Sequence, residues 1–254
     1  MIDLYTGTPR SGKSYHAAQR ICLRSRFGEP IIANFPCDLS RYKKANFTFV
    51  KNTDLTPEYL RKYSQEFFRD KPIKEGAILL VIDEAQLLFN SREWQHRYRQ
   101  NWLSFFTLHG KLGYDIILIS QMDRMIDRQI RGLVEYEYIH RRLGNFGWRG
   151  FLLRIVTFGG DFMSVKVWYP MNEKIDQEVL RLSKRVYAIY DTHLLFDSDG
   201  NEKVSETSEI AESPEEKAIA RRQLNKALIL LRSLDICLWL SLNKAVSFFG
   251  SLPL

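Results

Sequence analysis

Residues 7–14 read Gly7-Thr8-Pro9-Arg10-Ser11-Gly12-Lys13-Ser14, the pattern G-x-x-x-x-G-K-[ST]. Few short motifs constrain a fold as much, because this one works only between a buried strand and the first turn of a helix. Gly7, Thr8, Pro9, Arg10, Ser11 and Gly12 form a tight backbone cradle for phosphate oxygens, and the glycines supply the turn. Lys13 adds a point charge for the β- and γ-phosphates of a nucleotide such as ATP. The Ser14 hydroxyl is a ligand for Mg²⁺. The helix N-terminus contributes its dipole. The flanks agree: Met1–Thr6 (MIDLYT) reads as a short strand and Ser14–Arg26 as a helix.

A second motif sits where such a fold would place it. Ala77–Ile82 (AILLVI) is a continuous apolar run that ends in Asp83-Glu84. A run of this kind suits a strand buried on both faces of a parallel sheet. Acids at its C-terminal end then lie at the sheet edge where α/β proteins bind ligands. Asp83 is expected to support Mg²⁺, usually through water, and Glu84 to orient or deprotonate the attacking water. Pro30–Phe35, Phe47–Lys51 and Asp115–Ser120 read as further strands. At least one strand between the phosphate-loop strand and the acidic strand marks the NTPase division that uses a catalytic glutamate. In that division a polar residue ending the next strand often senses the γ-phosphate, and Gln121 occupies that place.

The 254 residues hold one generous domain, or one domain and a tail. The three cysteines (Cys22, Cys37, Cys237) are too few and too scattered for a disulfide framework or a zinc site, which fits a reducing cytoplasm. No signal peptide opens the chain. The net charge of +7 is unevenly spread. Asp197–Glu216 carries eight acids and one lysine, and Lys217–Leu254 six bases and one acid, so Met1–Phe196 holds a net +9. A basic body of this kind suits a polyanionic partner, with nucleic acid the first candidate.

Residues 1 to about 196 read as one α/β body. Arg92–His109 reads as a helix whose Trp94, Trp102, Phe105 and Phe106 pack on the sheet, and Met125–Gly132 as a short Arg-rich helix. Glu135–Arg142, Phe151–Phe158 and Met163–Tyr169 read as strands parted by glycine turns at Gly144/Gly147 and Gly159-Gly160, predicting an antiparallel meander beyond the parallel core. Residues 197–216 are acidic and lack aromatics, as a disordered linker does. Residues 217–254 keep helical apolar spacing from Leu224 to Phe249. Arg232, Asp235 and Lys244 interrupt that stripe, each at a cost of about 2.5–3.5 kcal/mol in mid-membrane. A protein-contact helix, a membrane-surface helix and a spanning helix all remain open for it.

Together these segments resemble the Zot (zonular occludens toxin) family, which includes the assembly protein I of filamentous phages. The resemblance rests on TGTPRSGKS, IIANFP, LLVIDEAQ, LHGKLGYDIILISQ, IDRQIRGL and VYAIYDTH, and covers roughly residues 1–195. It implies an α/β P-loop NTPase with a mostly parallel sheet and added antiparallel strands, grouped with the FtsK–HerA DNA-pumping ATPases. It implies Mg²⁺-dependent ATP hydrolysis that drives assembly and export of a single-stranded DNA phage. It also implies a homo-oligomeric ring, single-stranded DNA or phage nucleoprotein as partner, and a place at the cytoplasmic face of the inner membrane or anchored in it. In rings of this kind an arginine from the next subunit enters the site, and Arg124, Arg128 and Arg131 are the candidates, Arg128 foremost. Relatives carry a membrane segment after the ATPase body; here that segment is interrupted by charge. Two other classes compete. A small-molecule phosphotransferase would need an acceptor-binding lid, and none is recognisable. A non-catalytic nucleotide-dependent DNA-binding scaffold would not need the intact Lys13, Asp83 and Glu84.

Overall fold

A computed structural model of the chain describes residues 1–90, 96–146 and 160–189. These fall within one compact unit, Met1–Leu195. The expected strand Phe151–Phe158, Trp94, the acidic linker and the C-terminal helix lie outside the described residues.

The chain runs through β1 (Ile2–Thr6), α1 (Lys13–Phe27), β2 (Pro30–Ala33), β3 (Asn46–Phe49), α2 (Pro57–Phe67), β4 (Ile78–Ile82), α3 (His96–Leu108), β5 (Tyr114–Ile119), α4 (Arg128–Arg131), β6 (Tyr136–Arg142), β7 (Gly160–Trp168), β8 (Glu173–Arg181) and α5 (Lys184–Tyr187). One sheet of eight strands results, in the order β3-β2-β4-β5-β1-β6-β7-β8. β3 to β6 of that order are parallel, and β7 and β8 pair antiparallel beyond them.

β2 and β4 are apolar throughout, and β1 and β5 nearly so, because both sheet faces are covered. Along β4, Ile78, Leu80 and Ile82 face one core, shared with Trp102, Phe105 and Phe106 of α3. Leu79 and Val81 face the other, shared with Ala17 and Ile21 of α1. This is the period-two division of a strand between two layers. The aromatic stripe of α3 is therefore core: Trp102 is fully buried and stacks on Phe106 at a ring-centroid distance of 5.6 Å.

The expected antiparallel meander is present, β6 pairing antiparallel with β7 and β7 with β8. Three features go beyond or against expectation. β6 also lies beside β1 and runs parallel to it, Asp3 against Tyr136 and Tyr5 against Tyr138. It therefore belongs to the parallel core as well as to the meander, and of the eight strands β7 alone runs against the others. The single helix expected over Met125–Gly132 is broken, with a 3₁₀ turn at Asp123–Met125 and α4 at Arg128–Arg131. Between them Ile126 is extended and bridges to Asn90, and the Asp127 side chain caps the new helix at Gln129 N. Finally, α2 and β8 form where no element was expected. Thr56 accepts from Tyr59 N and Pro57 occupies the first helical turn, a start signal for α2. β8 (EKIDQEVLR) is an edge strand whose charges hide its alternation and protect the edge.

Candidate phosphate site at the end of β1 and β4

β1 and α1 are joined by the loop of residues 7–12, and its glycines are required where they stand. Gly7 has φ of +141° and a Cβ there would lie 2.4 Å from the His140 carbonyl oxygen. Gly12 has φ of +97° and a Cβ would lie 2.5 Å from the Phe162 ring. The loop is thus pressed against β6 and β7, and its left-handed turns need glycine. Arg10, at its tip, also has a left-handed φ of 60° and is exposed. Ser11 Oγ is buried with no hydrogen-bond partner among the described residues.

Lys13 opens α1 and turns its ammonium back across the loop, donating to Gly7 O at 2.7 Å and Thr8 O at 3.0 Å. Burial lowers its pKa, and the charges of Glu84 and Asp83 oppose that shift. Ser14 Oγ donates to Asp83 Oδ2 at 3.4 Å. A hydroxyl and a carboxylate oxygen side by side are the donor set a hard divalent cation such as Mg²⁺ takes, with phosphate and water completing its shell. The residues present fit both groups: a glycine-turned loop packed from behind against His140 and Phe162, a buried hydroxyl without a partner among the described residues, and paired oxygen donors.

Asp83 and Glu84 leave the C-terminal end of β4. Because β5 lies between β4 and β1, the acids face the phosphate loop across one intervening strand. The turn is held by residues that no motif marks. Asn34, just past β2, accepts from Asp83 N at 2.7 Å and donates to Asp83 O at 2.8 Å. The Asp83 carboxylate accepts from Glu84 N at 2.8 Å. Glu84 itself is exposed and left-handed, with φ 48° and ψ 46°. A non-glycine residue pays about 1–3 kcal/mol for such backbone, a strain that clusters at functional sites. Its carboxylate accepts from Gln86 Nε2.

Gln121 follows β5, and its carbonyl accepts from Gly7 N at 3.3 Å. Its backbone thus abuts the loop, while its side chain is exposed. Of the arginines, Arg131 donates to Asp123 at 3.1 Å and is half-buried, whereas Arg124 and Arg128 are exposed. The described residues therefore bring Lys13, Ser14, Asp83, Glu84 and the Gln121 backbone to one end of the sheet. Asn34 stands in the IIANFP segment, whose asparagine between apolar strand residues is the signal that could have pointed to it. His16 and His140, packed behind the loop, carry no motif signal.

The profile of the zonular occludens toxin (Zot) family matches residues 1–194. The Gene 1 protein of Salmonella phage IKe is 35% identical over 216 residues, covering 78% of this chain and 58% of that protein. The Gene 1 protein of Enterobacteria phage I2-2 is 33% identical over 132 residues, 48% of this chain and 36% of that protein. The chain thus spans little more than half, or less, of the length of these relatives. Among solved structures, the N-terminal domain of zonular occludens toxin from Neisseria meningitidis matches with a TM-score of 0.50 at 18% identity, covering 75% of this chain and 98% of that domain. The DNA-packaging ATPase B204 of Sulfolobus turreted icosahedral virus matches with a TM-score of 0.51 at 14% identity, covering 71% and 98%. At such identities these two likenesses speak to the fold, that of a P-loop NTPase. Matched over more than three quarters of its length by the family profile, the chain belongs to the Zot family.

Proposed function

We propose that the chain is a Mg²⁺-dependent ATPase that powers assembly and export of a filamentous-type phage. The observation that carries the catalytic half is the convergence of Lys13 and Ser14 from the β1–α1 junction with Asp83 and Glu84 from β4, Ser14 Oγ and Asp83 Oδ2 being 3.4 Å apart. Family membership and the Gene 1 proteins of phages IKe and I2-2 support the phage-assembly half.

In this reading the loop amides and the Lys13 ammonium bind the β- and γ-phosphates. Lys13 exchanges its bonds to Gly7 O and Thr8 O for phosphate oxygens, and its burial strengthens the new contacts. Ser14 and Asp83 would hold Mg²⁺, which when bound offsets charge on the phosphates. Glu84 orients the attacking water and takes up its proton. The side chain of Gln121 reaches the γ-phosphate. Arg124 or Arg128 of one subunit enters the site of its neighbour in a ring, and the basic body of residues 1–196 contacts single-stranded DNA or phage nucleoprotein. No helix among the described residues is long and apolar enough to cross a membrane. Attachment to the inner membrane or to a membrane protein is assigned to residues 217–254.

Two variants test the catalytic half. Lys13→Ala should weaken nucleotide binding. Glu84→Gln should bind nucleotide as the wild type does and lose turnover by about a hundredfold or more. Hydrolysis by Glu84→Gln at the wild-type rate in steady state would remove Glu84 from its role.

A further inference from the structure

Behind the phosphate loop lies a chain of hydrogen bonds that the catalytic reading does not use. His140 Nδ1 lies 3.2 Å from Thr6 O, the carbonyl of the residue just before Gly7. His140 Nε2 lies 2.9 Å from His16 Nδ1, in the first turn of the helix that leaves the loop. His16 Nε2 lies 3.1 Å from Glu178 Oε1 on the outermost strand β8. Both imidazoles are buried, at 1% and 6% exposure, whereas the Glu178 side chain is half exposed.

The direction of the bonds follows from the donors available. A carbonyl only accepts, so His140 Nδ1 carries its hydrogen. Its Nε2 then accepts, and His16 Nδ1 donates. His16 Nε2 faces Glu178 Oε1 within hydrogen-bond distance, so the contacts run without a break from β8 to the last carbonyl of β1. The rings have little freedom to rotate out of it. Tyr5 stacks on His16 with centroids 4.7 Å apart, and Tyr138 meets the His16 ring edge-on at 5.5 Å.

The β7–β8 hairpin meets the loop region at two further points. The Phe162 ring fills the space over Gly12. Tyr15 Oη donates to Arg181 O at 2.7 Å and accepts from Ser183 N at 2.7 Å. The loop is thus held from behind on both sides, at the strand entering it and at the helix leaving it.

We infer that His16, His140 and Glu178 are positioning residues for nucleotide binding: the relay fixes the two ends of the phosphate loop against the β7–β8 hairpin and keeps the loop in its binding-competent shape. The inference rests on the reading of Gly7–Ser14 as a phosphate site. Its physical content is pre-organisation. If the loop visits the competent shape only part of the time, apparent affinity falls by that fraction, while the bound state and its chemistry are unchanged. Losing the Glu178 bond therefore raises Kd and KM and leaves kcat alone.

The test uses the full chain, with Kd for a fluorescent ATP analogue and steady-state KM and kcat. Glu178→Ala should bind nucleotide about threefold to tenfold more weakly, the range one hydrogen bond contributes, with kcat within about twofold of wild type. Glu178→Gln keeps a side-chain donor for His16 Nε2 and should restore wild-type affinity. Glu178→Leu fills the same volume without that donor, should behave as Ala does, and replaces it should Ala prove unstable. His140→Asn keeps a donor for Thr6 O but breaks the relay at its centre, and should bind nucleotide at least as weakly as Glu178→Ala; wild-type affinity there overturns the inference. Wild-type affinity in both Glu178→Ala and Glu178→Leu overturns the inference, as does a Gln variant no tighter than Ala. A wild-type chain that binds no nucleotide removes the phosphate site itself, and is told apart because every variant would then read alike.

Discussion

Asn34 offers a sharp test of how the acidic turn is built. β2 ends at Ala33, so the backbone ladder to β4 stops short of Asp83. The Asn34 side chain continues it, accepting from Asp83 N and donating to Asp83 O as a further ladder residue would, and Nδ2 also donates to Asn52 Oδ1 at 2.8 Å. Asn34→Ala removes all three bonds from a residue only 5% exposed. A buried amide or carbonyl left without a partner costs about 1–3 kcal/mol, and a typical bond is worth about 1 kcal/mol net. Asp83 is half-buried, so water replaces part of what is lost. We expect a destabilisation of about 2–3 kcal/mol, which for a chain of this size lowers Tm by about 5–10 °C. Asn52→Ala, which loses only the third bond, should cost about 1 kcal/mol or less. Thermal and urea unfolding measure both, and hydrolysis by Asn34→Ala should fall further than nucleotide binding, because Asp83 and Glu84 share the turn. An Asn34→Ala variant within about 0.5 kcal/mol of wild type, or no less stable than Asn52→Ala, would refute the reasoning.

Two further outcomes can be checked. Asp3 is buried at 2% exposure beneath α1, its Oδ1 has no hydrogen-bond partner among the described residues, and burial raises its pKa from 3.8 to about 6. Because the folded state binds this proton more tightly than the unfolded chain does, the contribution of Asp3 to stability is full below about pH 4 and is lost as pH rises through about 6. The difference in stability between wild type and Asp3→Asn should therefore move in favour of the variant by about 1–3 kcal/mol over that window, with the buried histidines cancelling in the comparison; a pH-independent difference would show that Asp3 does not titrate there. For the ring, mixing Arg128→Ala with Glu84→Gln subunits should restore hydrolysis that neither has alone. Arg131→Ala, already bound to Asp123, should act mainly on stability; wild-type hydrolysis by Arg124→Ala, Arg128→Ala and Arg131→Ala alike would exclude an arginine supplied by a neighbour.

What could be read from the chain before its structure was what short-range pattern encodes. The loop Gly7–Ser14 needs only its own residue types and a strand and helix beside it. The runs Ala77–Ile82 and Asp115–Ser120, the latter apolar between its polar ends, declare strands covered on both faces, because short runs of consecutive apolar residues suit burial on both sides. The buried stripe Trp102, Phe105, Phe106 follows from helical spacing. Resemblance then supplied the family. Residue pattern alone was silent wherever the deciding partner is distant in the chain. β6 is parallel to β1, about 130 residues earlier, and antiparallel to β7; its mixed polar sequence suits either pairing, so only the neighbours it meets decide. β8 reads as a charged surface because an edge strand buries little. Asn34 acquires its role only when β2 and β4 are side by side. His16, His140 and Glu178 are unremarkable in sequence and become one chain of hydrogen bonds because β6, α1 and β8 meet behind the same loop. Periodicity reports how a segment is buried, and only the tertiary structure decides against what.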